Sequence, residues 1–296
     1  MPNITLWQNM TQTRVAAFLH QALVTEHPEL QRFFESMRYA SLEGGKRVRA
    51  MLTFATGTYL QVPDAELDIY AAAIEMIHAF SLVHDDLPAM DNDILRRGKP
   101  TCHVAYGEST AILCGDALLT EAFVVLSGSI TPYFNSLKRV KMLHILAQSM
   151  GANGMAGGQY LDITAEGKEL DFQSLCLLHR LKTGALIEAC ISLPLIYAEP
   201  ASDIYQNLQQ FSKHIGLLFQ IQDDLLDVSA ATETLGKTAG KDEIAHKASF
   251  VRILGQAGAE HLLQTEATSA RACLSALPGS TELLELILDF VMHREY

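Results

Sequence analysis

Asp85 and Asp86 close a long apolar stretch, Asp91 follows after Leu87-Pro88-Ala89-Met90, and Asn92-Asp93 come directly behind. Two unit charges about 4 Å apart repel by roughly 4 kcal/mol at an effective dielectric of about 20. Carboxylates packed this densely fit a shared cation; taken alone, they fit an acidic, solvated helix end equally well. Pro88 is expected to stop the helix, so that the chain curls back and brings Asp91 towards Asp85. A second cluster repeats the device. Gln220, Asp223, Asp224 and Asp227 fall at i, i+3, i+4 and i+7, one face of a helix, while Ile221, Leu225 and Val228 fall away from it. Two such helices facing each other would make an all-oxygen pocket for hard divalent ions. Mg²⁺ suits it, because this ion binds through a few carboxylates and completes its shell with water and substrate phosphates. The spacing does not match the calcium loop, and no histidine or cysteine ligand motif points to zinc.

An anion bridged by those metals needs cations, and the chain has only 22 Lys and Arg against 34 acids. Gly44-Gly45-Lys46-Arg47-Val48-Arg49 is a glycine-preceded basic cluster opening an apolar helix, where close backbone approach and a helix N-terminus favour anions. Arg96-Arg97-Gly98-Lys99 follows the first acidic cluster. Lys182-Thr183-Gly184 sits within an apolar helix, and Gly236-Lys237 and Lys247 follow the second acidic cluster. His78 lies two turns before Asp85 on the same stripe and is expected to point into the same cavity. Singly, each basic residue also suits a solvated surface, and His78 a hydrogen-bonded core; their grouping beside both acidic clusters favours anion binding.

These side chains must be carried by helices. Apolar residues recur at three- and four-residue spacing almost throughout, without sustained period-two alternation. The pattern predicts helices near 10–24, 40–60, 65–87, 109–128, 137–151, 170–196, 203–228, 246–276 and 281–294. Asp64, Ser109 and Ser202 are read as caps, with breaks at Pro63, Gly98-Lys99-Pro100, Pro132, Gly157-Gly158 and Pro200. The expectation is one all-α domain over 1–296 with buried central helices. Roughly half the residues are apolar, which fits a globule. The net charge of −12 argues against a nucleic-acid partner. Five unpatterned cysteines fit reduced thiols in a cytoplasm. Met1 to Met10 does not read as a signal peptide, and no uninterrupted apolar run approaches a membrane span, so no membrane insertion is expected.

With these motifs in hand, the chain resembles the trans-prenyltransferase (polyprenyl diphosphate synthase) family over nearly its whole length, and most closely the bacterial members that make farnesyl diphosphate. GGKRVR at 44–49 resembles the isopentenyl diphosphate clamp. DDLPAMDNDILRRG at 85–98 resembles the first aspartate-rich motif with its arginines. Gly157-Gly158-Gln159 with Asp162 resembles GGQxxD, Lys182-Thr183 the KT pair, and FQIQDDLLD at 219–227 the second aspartate-rich motif. The resemblance implies an isoprenoid-synthase-like bundle around a deep central cavity, usually a homodimer. It implies that Asp85, Asp91 and Asp223 hold most of three Mg²⁺ ions, supported by Asp86, Asp224 and Asp227. Arg96, Lys182 and Lys237, with Thr183 and Gln220 beside them, are implied to grip the allylic diphosphate. Lys46, Arg49, His78 and Arg97 are implied to grip isopentenyl diphosphate. The chain departs from the family pattern at Asn92, often Asp; at Ala50, often proline; and at His246 to Val251, which replaces GK-x-TYP around Lys247.

The implied reaction ionises an allylic diphosphate, adds the isopentenyl double bond to the cation and loses a proton. No nucleophilic side chain is required, and no GxSxG signature offers one. Phe80 and Ser81 lie just before the first motif, where the growing chain would descend. Phe80 fits either plain core packing or an incompressible floor to the cavity; in relatives, an aromatic residue at this place accompanies fifteen-carbon products.

Overall fold

The computed structural model describes residues 3–42, 45–128, 136–235 and 248–294. Gly44 and Pro132, named above, lie outside them. The chain divides into two compact units, one built mainly of residues 3–144 and the other of 145–195 and 199–296.

The first unit is organised on one helix. α1 (Ile4–Ala22) is capped by Asn3, whose side-chain oxygen accepts from the Thr5 and Leu6 N–H groups. A short 3₁₀ turn (Pro28–Leu30) leads into α2 (Gln31–Leu42), and α3 (Val48–Tyr59) follows. α4 (Asp64–Asp85) is the centre: Leu67, Tyr70, Ile74, Met76 and Ile77 are all buried, and α1, α2, α3 and the later α6 pack against it. A helix apolar nearly all round belongs in a core. After α4 come two-residue strands β1 (Leu95–Arg96) and β2 (Lys99–Pro100), paired antiparallel. Then follow α5 (Cys102–Tyr106), α6 (Glu108–Gly128) and α7 (Ser136–Met150).

In the second unit, α8 (Met155–Ala165) and α9 (Phe172–His179) precede a π-helical turn (Arg180–Gly184) and α10 (Ala185–Ala198). The long α11 (Ser202–Leu235) packs on α12 (Phe250–Ser275), and α13 (Glu282–His293) packs on both. α12 is kinked at Gly255, whose φ of 72° no other residue would take cheaply.

The helical architecture is the expected one, with local corrections. Gly157 and Gly158 lie inside α8 and do not break it, because their missing side chains serve close approach: a Cβ on Gly158 would stand 2.1 Å from the Lys182 backbone nitrogen. The helix expected over 40–60 is two helices, since Arg47 takes a left-handed φ of 53° between them. α2 was not anticipated, and 170–196 is interrupted by the π-turn. Pro63 caps α4 and Asp64 is its first residue; Ser109 and Ser202 likewise lie within their helices. Three helical stretches, 64–85, 108–128 and 172–198, are long and apolar enough to cross a membrane by length and composition, contrary to the reading from uninterrupted runs, which a few interspersed charges defeat. The first and third are mostly packed inside the protein, whereas α6 is only 33% buried.

α4 carries one acid deep in its apolar length. Glu75 is 2% exposed and accepts from the Arg47 guanidinium at 2.6 Å through one oxygen and from the Ala50 N–H at 3.2 Å through the other. A proline at position 50 could not make that second bond. Arg47 also donates to the carbonyls of Ser41 at 2.5 Å and Leu42 at 3.2 Å, so its side chain ties the end of α2 to the start of α3. Glu75→Ala leaves a buried, uncompensated guanidinium, and urea denaturation should show a loss of about 3–5 kcal/mol.

Candidate active site

In the first unit, α4 stops where Pro88 demands it. The chain then turns back: the Asp91 N–H donates to the Asp85 carbonyl at 2.9 Å, and the Asn92 N–H to the Leu87 carbonyl at 3.1 Å. Asp91 is thereby brought to Asp85, as expected from Pro88. Asn92 has a φ of 53°, a left-handed conformation that asparagine tolerates better than most residues. Asp85 is half-buried and Asp91 exposed, whereas Asp86 is turned inward and only 3% exposed. Its carboxylate receives Arg96 Nε at 2.8 and 3.0 Å and Arg96 Nη2 at 2.5 Å. Burial pushes the Asp86 carboxyl above the usual range, against the opposing pull of Arg96.

The turn joining β1 to β2 places both Arg97 and Gly98 at positive φ, 53° and 77°, as a tight primed hairpin turn requires. It delivers Arg97 to the basic loop: a Cβ on Gly45 would meet the Arg97 guanidinium at 2.7 Å. Gly45, itself at a φ of 88°, is thus the residue that admits Arg97. The loop is held from α1, where Gln12 and Gln8 donate to the carbonyls of Gly45 at 3.0 Å and Lys46 at 3.2 Å. His78 Nε2 lies 3.5 Å from Arg49 Nη1. Its pKa is driven well below the ordinary histidine value, first by burial and then by Arg49, Arg97, Arg47 and Arg96, so the ring is neutral at pH 7. Four guanidinium groups within electrostatic reach of one neutral imidazole make a local positive field in an acidic protein, suited to an anion. Beside them, a cavity of about 230 Å³ is lined by Leu82, Asp86, Arg96, Arg97, Thr101 and Cys102, among others. Ser81 Oγ donates back to the His78 carbonyl at 2.8 Å, and Phe80 meets the His84 ring edge-on with centroids 5.0 Å apart.

The second unit shows the same division of labour between neighbouring aspartates. Asp224 is turned inward, accepting from the Phe250 N–H at 2.7 Å and Gln220 Nε2 at 3.1 Å, and burial raises its pKa to about 6. Gln220 Oε1 in turn accepts from the Thr183 hydroxyl at 3.2 Å, which ties the π-turn to α11. Asp223 is half-buried and Asp227 exposed. Arg294, at the end of α13, donates to Asp223 at 2.5 Å and to the Phe219 carbonyl at 2.7 Å, with its guanidinium 3.8 Å from the Phe219 ring centroid. Lys182 leaves the π-turn to meet Asp162 at 2.5 Å. π-turns inside helices recur at functional sites because they re-aim side chains. Lys237 and Lys247 lie outside the described residues.

The residues that sequence reasoning missed are mostly the ones that hold others. Glu75 carried a usable signal, an acid inside the apolar run Ala71–Ile77. Gln8, Gln12 and Arg294 carried none. Among the described residues no three His, Cys, Asp or Glu side chains form a ready-made metal cage. The outward carboxylates in each unit, Asp85 and Asp91 in one, Asp223 and Asp227 in the other, are hard oxygen donors. They fit a divalent ion that keeps waters and substrate phosphates in its shell.

A family model for polyprenyl synthetase matches residues 30–275. The chain belongs to the polyprenyl synthetase family. It is 42% identical over 286 residues to a farnesyl diphosphate synthase of Haemophilus influenzae, covering 96% of each chain. It is 45% identical over 264 residues to the Escherichia coli farnesyl diphosphate synthase, covering 88% of each. Among solved structures it resembles an FPP/GFPP synthase of Zymomonas mobilis, with a TM-score of 0.89, 34% identity and coverage of 98% of this chain and 99% of that one. A geranyltransferase of Legionella pneumophila matches with a TM-score of 0.87 at 34% identity, over 98% of this chain and 96% of that one. The fold is that of the all-α isoprenoid synthases, and the protein is a prenyltransferase.

One member of the neighbourhood gives a pH signature. His179 is 7% exposed and stacked on Phe250, and burial lowers its pKa to about 4 from 6.5. Because the folded pKa is depressed, the stability tied to neutral His179 is fully present above about pH 6.5. It is lost as pH falls towards 4, by about 3 kcal/mol in all. Urea denaturation at pH 7 and pH 4 should show that His179→Gln loses correspondingly less stability on acidification than the wild type.

Proposed function

We propose that this prenyltransferase condenses isopentenyl diphosphate head to tail with dimethylallyl and then geranyl diphosphate, giving (2E,6E)-farnesyl diphosphate and free diphosphate. The observation that carries the reading is the arginine field around neutral His78, built directly beside the Asp85–Asp91 turn. Diphosphate recognition and a place for divalent cations therefore come from adjacent stretches of one chain. Three Mg²⁺ ions, when bound, neutralise the charge that develops on the leaving diphosphate. Asp85 and Asp91 from the first cluster and Asp223 from the second would hold them, with Asp227 in support. Asp86 and Asp224 support them from within.

The remaining roles belong to the chain's own cations. Arg96 and Lys182, with Lys237, grip the allylic diphosphate, and two of them arrive preset: Arg96 on Asp86 and Lys182 on Asp162. A cation whose side chain is already fixed loses little freedom when substrate binds, so its stabilisation is available where charge develops. Lys46, Arg49 and Arg97 hold the isopentenyl diphosphate, and neutral His78 adds a ring N–H donor to the same anion. The apolar helices keep water from the allylic cation. The released diphosphate takes the proton, so no side chain need act as base. Phe80 is the floor that ends growth at fifteen carbons. Residues 1–296 act as one catalytic domain, in the cytoplasm, as a homodimer; the exposed apolar side chains Ile112, Leu113 and Val124 of α6 suit contact with a second copy.

Asp85→Ala and Asp223→Ala should each lower turnover by orders of magnitude while leaving the helical circular dichroism spectrum unchanged; normal turnover in either would defeat the assignment. Chromatography of the Phe80→Ala products should show chains longer than farnesyl diphosphate.

A further inference from the structure

The side chains of Phe80 and His84 are one helical turn apart on α4, and what stands behind His84 is a glycine. Their rings meet edge-on at 5.0 Å with an interplanar angle of 74°, a preferred aromatic geometry. The imidazole is held from α6. Its Nε2 lies 3.0 Å from the Ile112 carbonyl oxygen and 3.9 Å from Asp116 Oδ1. Between these two residues in sequence stands Gly115, and the ring occupies the space where its side chain would be. A Cβ there would lie 2.2 Å from His84 Nε2 and 2.4 Å from Cδ2, closer than any real contact.

We infer that Gly115 and His84 are positioning residues for product length: Gly115 admits the imidazole into α6, and the imidazole buttresses Phe80 against the growing chain. The inference rests on Phe80 being the floor of the cavity. A phenylalanine on a helix surface can swing among staggered rotamers unless a neighbour blocks them. On this face of α4 the neighbour is His84, which is itself tethered to the Ile112 carbonyl. A chain extending beyond fifteen carbons must push Phe80 aside, and in doing so it must dislodge the imidazole from its slot. The floor is then as firm as the contact between α4 and α6, and a glycine outside the aspartate-rich motif helps set the length of the product.

The test compares the products of the wild type, Phe80→Ala, His84→Ala, Gly115→Ala and the His84→Ala/Gly115→Ala double variant, made from isopentenyl and dimethylallyl diphosphates with Mg²⁺. His84→Ala opens a ring-sized space beside Phe80 and should lengthen the main product by one isoprene unit. Gly115→Ala drives the imidazole off α6 towards Phe80 and should make the ten-carbon intermediate accumulate. The double variant should match His84→Ala, because the added methyl then meets no ring; such non-additivity is the mark of direct contact. Should Gly115→Ala not fold, His84→Ala and the double variant, in which the slot is empty, still decide. Fifteen-carbon output from His84→Ala, alongside lengthened products from Phe80→Ala, would overturn the buttress and leave the floor standing. Lengthening in His84→Ala with an additive double variant would remove Gly115 from the role. Fifteen-carbon output from Phe80→Ala would instead remove the floor itself and the inference with it.

Discussion

A guanidinium packed among helices is stable only with a carboxylate beside it, and in this protein that requirement fixes the geometry of the arginines around His78. Glu75 holds Arg47 and Asp86 holds Arg96, each through short, charge-assisted hydrogen bonds. Buried pairs of this kind contribute little net stability, since desolvation offsets most of the attraction. What they provide is placement. Arg47 anchors the turn that presents Lys46 and Arg49, and Arg96 anchors the hairpin that presents Arg97. Two carboxylates thus set the positions of both segments. Burial, aided by the same field, keeps His78 neutral among these cations.

The acidic side follows a matching rule. In each Asp-Asp pair the second carboxylate turns into the protein, Asp86 onto Arg96 and Asp224 onto the Phe250 N–H and Gln220, while Asp85 and Asp223 point the other way. The inward member ties elements together: Asp86 joins the end of α4 to Arg96, and Asp224 joins α11 to the first residue of α12. Asp223 is met by Arg294, whose buried guanidinium is also held by the Phe219 carbonyl and ring.

Much of this was legible from residue types and spacing. The two acidic clusters and the return of Asp91 to Asp85 follow from a helical stripe and a proline, whereas the grouping of Arg49, Arg97 and His78 was implied by the family resemblance. The helices were legible wherever an apolar stripe ran unbroken. What failed did so for identifiable reasons. Gly157 and Gly158 look like a helix break, yet they permit α8 to approach the Lys182 backbone, and no single-residue propensity separates the two uses. Arg47 stands in the basic cluster with no sign of its structural role, because its partner Glu75 lies 28 residues away. The π-turn at Lys182 adds no residue type that a regular helix would lack. Asn92 and Ala50 looked like departures from a family pattern; one occupies a left-handed position and the other donates a backbone hydrogen bond.

The central claim is that the carboxylate-anchored arginines form an anion site of their own, ready before any metal arrives. Calorimetric titration of isopentenyl diphosphate into the protein in the presence of a chelator tests this most directly. The account predicts saturable binding at one site per chain that weakens steeply with salt, and that weakens by about tenfold, about 1.4 kcal/mol, in Arg97→Gln. Binding that needs a divalent ion, or that is indifferent to Arg97, would contradict it.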